Sequence, residues 1–325
     1  MKTGFGRRDF LKIVTAVFGA GIVSACERLL PTQTPGPIST PTTTWIPSPS
    51  STPQPKCNAD ALNALSRVVV PEGKRYLADV PDTLDLFENA KLVINAFTRC
   101  TNPDDSCETY FYGSAARNPP VMFKVDGLNA KFCEGLSLMR YLTGSSFNTQ
   151  VDQRWREYFL EMFKKESIGL TFTDARFICW AANNSQLEKS VCWQEVAEEA
   201  ISRLSRILTH ERDYCYLTNS NGEMNTGWEA TQEGWTLQGV TSVYSITGSL
   251  SARKLADELA RYLKDHAQIF DANGRFLARH ESEKGPALHF HGNGNTMAAL
   301  SEYALATHDQ EFAGFVQKGY EYARS

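Results

Sequence analysis

Glu229 and Glu233 stand four residues apart in the segment from Glu223 to Trp235. On a helix that spacing puts both carboxylates on one face. Asp126, in Lys124-Val125-Asp126-Gly127, holds the equivalent place ahead of another apolar stretch. Cleaving a glycosidic bond needs two carboxyl groups across the bond, one as acid and the other as base or nucleophile. The candidate catalytic set is therefore Glu229 or Glu233 as the acid, with Asp126 opposite. Carboxylates near a helix start also stabilise the helix dipole, and that structural role competes at each position.

Aromatic and imidazole side chains share these segments. Trp228 and Trp235 flank the glutamates, and His289, His291 and Asn293 lie in Leu288-His289-Phe290-His291-Gly292-Asn293-Gly294-Asn295. In an extended loop, residues two apart point the same way, so both histidines are expected to face one cavity. Aromatic faces with a few polar groups suit a sugar-like ligand, and concave sites of this mixed kind are the default ligand pocket. Trp228, Trp235, His289, His291 and Asn293 are thus the candidate substrate-binding residues. The histidines keep other roles open: structural capping, a neutral base for elimination next to a carboxylate, or metal binding, for which no third ligand is evident. Asn295 reads as the N-cap of the helix that follows.

These residues need elements to hold them. Apolar residues recur at three and four in Leu84 to Phe97, Leu128 to Leu142, Asp152 to Phe163, Ala175 to Ala182, Trp193 to Leu208, Trp235 to Ile246, Ala252 to Asp265, Thr296 to Ala306 and Gln310 to Ala323. Strand-like alternation is nearly absent. A repeat is visible: Gly135 to Ser145, Gly239 to Ser249 and Ala299 to Asp309 each end an apolar helix on Gly or a polar residue, ahead of a turn and a more charged helix. Thr173 to His210 is a degenerate fourth copy. Glycine suits the left-handed conformation that closes such helices. The apolar member is expected inside and the charged member outside, with the residues just before each inner helix at one end.

Repeated inner–outer hairpins of this kind resemble the α/α toroid, the architecture of six-hairpin glycosidases, of the helical domains of polysaccharide lyases and of terpenoid cyclases. The closing stretch from Leu288 to Thr307 is most similar to the six-hairpin carbohydrate enzymes, including the β-L-arabinofuranosidase-like group. The resemblance spans roughly Leu128 to Ser325. It implies an all-α domain, a partial or complete toroid, whose ligand site lies where loops lead into the inner helices. About four hairpins are countable where a closed six-hairpin ring needs six, so the ring is incomplete or the chain is part of a longer product. Nothing matches the catalytic cysteines and zinc ligands of the arabinofuranosidase-like group. An Asp-rich run of the terpenoid-cyclase kind is missing as well.

The N-terminal region carries other signals. Lys2, Arg7, Arg8 and Lys12 precede an apolar run from Ile13 to Val23 of 11 residues. A membrane span needs about 20, so this is a secretory signal rather than a transmembrane helix. Gly6 to Lys12 resembles the twin-arginine consensus, with Arg7 and Arg8 as the pair read by the export machinery. Val23-Ser24-Ala25-Cys26 resembles a lipobox, which makes Cys26 the lipidated first residue after cleavage. Residues 31–56 contain 8 Pro, 7 Thr and 4 Ser in 26 positions, a composition with too little apolar surface to fold. The expected organisation is a signal peptide over 1–25, a lipidated cysteine and disordered linker over 26–56, and a helical domain over 57–325, held by its lipid at the outer face of the cell membrane or secreted.

Composition narrows the partners. The chain is 42% hydrophobic and 22% charged, with a net charge of −4, which leaves no basic excess for nucleic acid. No paired Cys-x-x-Cys spacing signals a zinc ribbon, and no cofactor or metal is expected. Eight cysteines in an exported chain permit disulfides. Cys100 and Cys107 are the candidate pair; connectivity among the others is open. Cys133, Cys179 and Cys192 read as small buried hydrophobes, and Trp155, Trp180 and Trp193 as core. Together these features point to a surface lipoprotein whose partner is a polysaccharide or oligosaccharide, bound and cleaved by hydrolysis or elimination. A non-catalytic helical domain that binds glycan or protein is the alternative.

Overall fold

The computed structural model describes residues 57–70, 85–102, 108–114, 121–124, 129–165, 172–280 and 285–324. The export signal with Arg7 and Arg8, the lipobox Cys26, the linker, Asp126 and Cys107 lie outside them.

Ten α-helices run along the described chain: α1 Ala59–Ala64, α2 Leu86–Arg99, α3 Asn129–Thr143, α4 Thr149–Lys164, α5 Phe172–Leu187, α6 Val191–Ile207, α7 Glu233–Thr247, α8 Leu250–Arg261, α9 Phe290–Thr307 and α10 Gln310–Arg324. From α3 onward they alternate. The inner helices α3, α5, α7 and α9 pack side by side in that order, and each packs against the outer helix that follows it. The inner members are buried almost all round; in α7 every residue from Glu233 to Thr241 is buried. The outer members carry one apolar stripe, which in α8 is Ala252, Leu255, Ala256, Leu259 and Ala260.

The turn between inner and outer helix is the same device four times. A residue with positive φ closes each inner helix: Gly144 at 63°, Lys189 at 50°, Gly248 at 70° and His308 at 57°. Glycine is the default there because it lacks a Cβ; the other two positions carry the strain of a side chain. A threonine at the end of three inner helices turns its hydroxyl back to the chain, donating from Thr143 to Met139, from Thr247 to Val243 and from Thr307 to Tyr303. The next residue often caps the outer helix. Ser190 accepts from the Trp193 amide, Ser249 from that of Ala252, and Asp309 from those of Glu311 and Phe312.

The core lies between the two layers. Trp155, Trp180 and Trp193 are buried as expected, with Trp180 and Trp193 edge to face at 5.0 Å. Two buried ion pairs brace its edge. Arg140 grips Asp152 with both arms, at 3.0 and 2.6 Å, and Arg156 meets Glu188 at 2.7 Å. Cys133 and Cys179 are buried free thiols, and burial pushes Cys179 up to about 12, which leaves it inert. Cys192 departs from the expectation. It is bonded to Cys57, with 5.1 Å between the Cα atoms across 135 residues of chain. Closing a loop that long is worth about 5 kcal/mol in the chain-entropy account. Cys100 is a free, exposed thiol.

Strands are present where alternation was weak. Thr101–Asn102 (β1), Glu108–Ser114 (β2) and Val121–Lys124 (β3) form an antiparallel meander. The run Thr109-Tyr110-Phe111-Tyr112 is aromatic and β-branched, which suits a strand without clean alternation. Shorter pairs follow: Thr209–His210 with Cys215–Tyr216 (β4, β5), and Arg279–His280 with Ala287–Leu288 (β6, β7).

Gly239 sets how close α7 comes to α5. A Cβ there would sit 2.8 Å from the Ala175 carbonyl oxygen and 3.3 Å from the Ile178 side chain. Alanine would gain up to about 1 kcal/mol of helix propensity, but backbone cannot give way as a side chain can, and overpacking costs about 1–3 kcal/mol. Gly239→Ala is therefore expected to lower stability by about 1–2 kcal/mol in urea unfolding; an unchanged or raised midpoint would mean the helices are not held in contact there.

Candidate functional site

The loops that lead into the inner helices gather at one end, and they bring most of the expected binding residues together. Trp235 is in the first turn of α7, largely buried with 9% of its surface exposed. His291 lies 5.9 Å from it between ring centres, at the start of α9. His289 meets His291 at 6.0 Å and Trp228 edge-on at 4.4 Å. Lys131, on the first turn of α3, reaches over the Trp235 ring at 6.0 Å. Three inner helices thus converge on one mouth. Burial and the nearby Lys131 charge lower the His291 pKa, so this imidazole is neutral at pH 7. Burial and Arg176 lower Lys131 in turn.

The histidine segment is helical rather than an extended loop. Helix α9 begins at Phe290, with His289 as its cap: His289 Nδ1 accepts the Gly292 N–H at 3.1 Å. Asn295, expected as the cap, lies inside the helix. Two glycines in four residues hid this turn from a propensity argument; a histidine accepting at the N-cap was the missed signal. Asn293 is 0% exposed, and its Nδ2 donates to the Ala278 and His289 carbonyls. It holds the helix start and does not reach the mouth.

Below the mouth, the inward faces of the four inner helices carry a polar chain that periodicity did not single out. Arg176 of α5 pairs with Glu134 of α3 and donates to Gln238 Oε1 of α7 at 2.6 Å. Gln238 Nε2 then donates to Glu302 of α9 at 2.7 Å. Asn183 of α5 also reaches Glu134, at 3.4 Å. Burial raises the Glu134 pKa against the pull of Arg176. Burial likewise pushes Glu302 up to about 7, with Glu134 adding to the rise. Arg176 Nε and Asn295 Nδ2 are buried donors without a protein acceptor. A buried donor left unpaired costs about 1–3 kcal/mol, so this lumen is suited to a ligand or water that brings oxygen acceptors. The signal for it was a long polar side chain on the mostly apolar stretch of each inner helix: Glu134, Arg176, Gln238 and Glu302.

The two expected glutamates separate. Glu229 is exposed on a 3-10 turn, Glu229–Gln232. Glu233 is 1% exposed, and it fastens the preceding loop. It accepts from the Leu217 amide at 3.1 Å and from Asn225 Nδ2 at 3.2 Å. Tyr262 OH lies 2.7 Å from the Asn225 carbonyl and 3.2 Å from Glu233 Oε1. The phenol hydroxyl is shared between these two acceptors. Its bond to Glu233, with those from Leu217 and Asn225, favours the carboxylate, but burial outweighs them and pushes the Glu233 pKa up to about 7.

No protein-family model matches the chain, and no curated protein matches it in sequence. Solved structures do match in fold. The GH76A alpha-1,6-mannanase of Salegentibacter sp. HEL1_6 superposes with a TM-score of 0.54 at 11% identity, over 74% of this chain and 70% of that one. An inactive variant of the same enzyme, with two adjacent aspartates changed to asparagine and alpha-1,6-mannotriose bound, gives the same values. At that identity the likeness establishes the architecture: the inner–outer hairpins of this chain form an α/α toroid fold. The one Asp-Asp pair of the sequence is Asp104-Asp105, outside the described residues.

Glu233 makes stability depend on pH. Its folded pKa of about 7 exceeds the usual 4.5. Below pH 4.5 both states hold the proton. Between 4.5 and 7 the unfolded chain ionises first, so stability falls as pH rises, by about 3 kcal/mol in all, and levels off above 7. Glu302 adds a slope of the same sign. Urea unfolding across this range is expected to show the decline, and Glu233→Gln, which keeps the shape but cannot ionise, to remove about half of it; an unaltered slope would contradict a protonated Glu233.

Proposed function

We propose that this chain is a glycan-binding toroid of glycoside-hydrolase type, carried outside the cell on a lipid anchor. One observation carries the binding reading. Lys131, Trp235 and His291 come from three different inner helices to a single mouth, above a lumen with buried donors on Arg176 and Asn295. An aromatic face suits the C–H face of a sugar ring, and unpaired donors suit its hydroxyls. The bound mannotriose in the structural neighbour makes α-1,6-mannan the first polysaccharide to try. The Cys57–Cys192 bond supports the export reading, since such bonds persist in oxidising compartments.

Cleavage is the second reading, and it too has a specific observation behind it. Glu302 and Glu134 project from opposite ends of the row of inner helices and sense one another's charge. A carboxyl group near pKa 7 holds its proton long enough to act as general acid, and a partner across the bond is what hydrolysis needs. These two fit the requirement better than Glu229 and the buried Glu233.

The full chain should be assayed on a panel of neutral and uronate-containing polysaccharides, α-1,6-mannan among them, for binding, reducing ends and unsaturated products. The expected result is binding that Trp235→Ala weakens about tenfold, equivalent to ~1.4 kcal/mol, and reducing ends that Glu302→Gln abolishes. Unsaturated products would replace hydrolysis by elimination. A cooperatively folded chain that binds none of the panel would overturn the proposal.

A further inference from the structure

A second cluster lies on the outside of the same end, and the proposed glycan site does not use it. His210 on β4 and Cys215 on β5 are cross-strand partners, and α8 presents Glu258 to both. One ligand atom from each, with His210 contributing a ring nitrogen, lies within 4.8 Å of the others. We propose that His210, Cys215 and Glu258 form a site for a divalent metal of the zinc type, which fastens the β4–β5 hairpin to α8.

The hydrogen bonds define how His210 is prepared. Its Nε2 lies 2.8 Å from the Ser205 backbone carbonyl. A carbonyl only accepts, so Nε2 carries a proton. In the neutral ring Nδ1 is then a bare lone pair, and it points at Glu258 Oε2 from 2.8 Å. Two acceptors face each other at that distance only with a cation between them, a proton or a metal. An imidazole whose far N–H is fixed by a carbonyl is the usual outer support of a metal-binding histidine. Glu258 Oε1 is meanwhile approached by Lys254 at 3.7 Å, which leaves Oε2 for the site.

The donor set selects the metal. A thiolate, an imidazole and a carboxylate together suit zinc rather than calcium or magnesium. With zinc bonds of roughly 2.0–2.3 Å, tetrahedral ligands stand about 3.4–3.6 Å apart, and the present spacings of 2.8 Å and up to 4.8 Å bracket that value. Cys215 is 0% exposed, while the His210 side chain is 36% exposed, which gives the ion a way in and a fourth position open to water. Binding Zn²⁺ releases two protons to solvent, the Cys215 thiol proton and the one held between His210 Nδ1 and Glu258 Oε2, and the two charges of the ion then balance one thiolate and one carboxylate. The hairpin so fastened leads directly into Leu217, whose amide Glu233 holds.

The full chain, stripped with a chelator, should be titrated with Zn²⁺ against a chromogenic competitor, and separately with Co²⁺ in the near ultraviolet. The expected result is one equivalent of zinc and a thiolate-to-cobalt charge-transfer band. The band should vanish in Cys215→Ser and survive in Cys100→Ser, which removes the exposed thiol. Because Cys215→Ser disturbs a buried position, Glu258→Gln is the second arm: it should weaken zinc at least ~100-fold while the metal-free variant still melts cooperatively. No zinc binding by the wild-type chain, a band that outlasts Cys215→Ser, or equal zinc affinity in Glu258→Gln would each overturn the site.

Discussion

A buried guanidinium is the constraint around which the inner helices are arranged. Arg176 stands on the inward face of α5, away from water, and a charge in that position must be paired. Its partners come from α3 and α7, and Gln238 passes the connection on to Glu302 of α9. Four helices are thereby held in one register by a chain of polar contacts. Such a network rewards one arrangement over others more than it adds stability, because desolvating the charges offsets much of their attraction. The close approach at Gly239 and the repeated left-handed turns then let the apolar faces meet around it.

The same constraint gives the lumen its chemistry. Lining four helices with polar groups that satisfy one another incompletely leaves donors facing inward, and it raises carboxyl pKa values by burial. The mouth above adds flat aromatic and neutral imidazole surfaces. Around this, the loop from Leu217 to Trp228 is fixed from behind by Glu233 and Tyr262, and further out by the hairpin that carries His210 and Cys215. Rigid placement of a loop beside a polar lumen is what a ligand site requires.

Much of the helical layout was legible because the hairpins share a local grammar: an apolar helix, a residue that tolerates positive φ, then a more charged helix, with a terminal threonine in three of the four. Gly144 and Gly248 announced it plainly. Lys189 and His308 did so less, because those side chains accept a strained conformation that only tertiary packing maintains. At the site, Trp228, Trp235, His289 and His291 were found by their place before inner helices, and they do come together. Glu233 was legible as a carboxylate at a helix start but not as a buried one. Its partners Leu217, Asn225 and Tyr262 are distant in sequence, and burial decides its protonation. The lumen residues Glu134, Arg176 and Glu302 were given no role for the same reason: a charge on a mostly apolar helix acquires meaning only when the facing helices are known. The Cys57–Cys192 bond joins positions 135 residues apart, beyond the reach of any spacing rule.

The central claim is that the inward faces of α3, α5, α7 and α9 receive a sugar. A crystal structure of the full chain with a bound oligosaccharide tests it most directly. The account predicts a sugar ring against Trp235 and His291, with oxygens accepting from Arg176 Nε and Asn295 Nδ2. A sugar seated on the outer helices, with the lumen donors satisfied by ordered water alone, would contradict it.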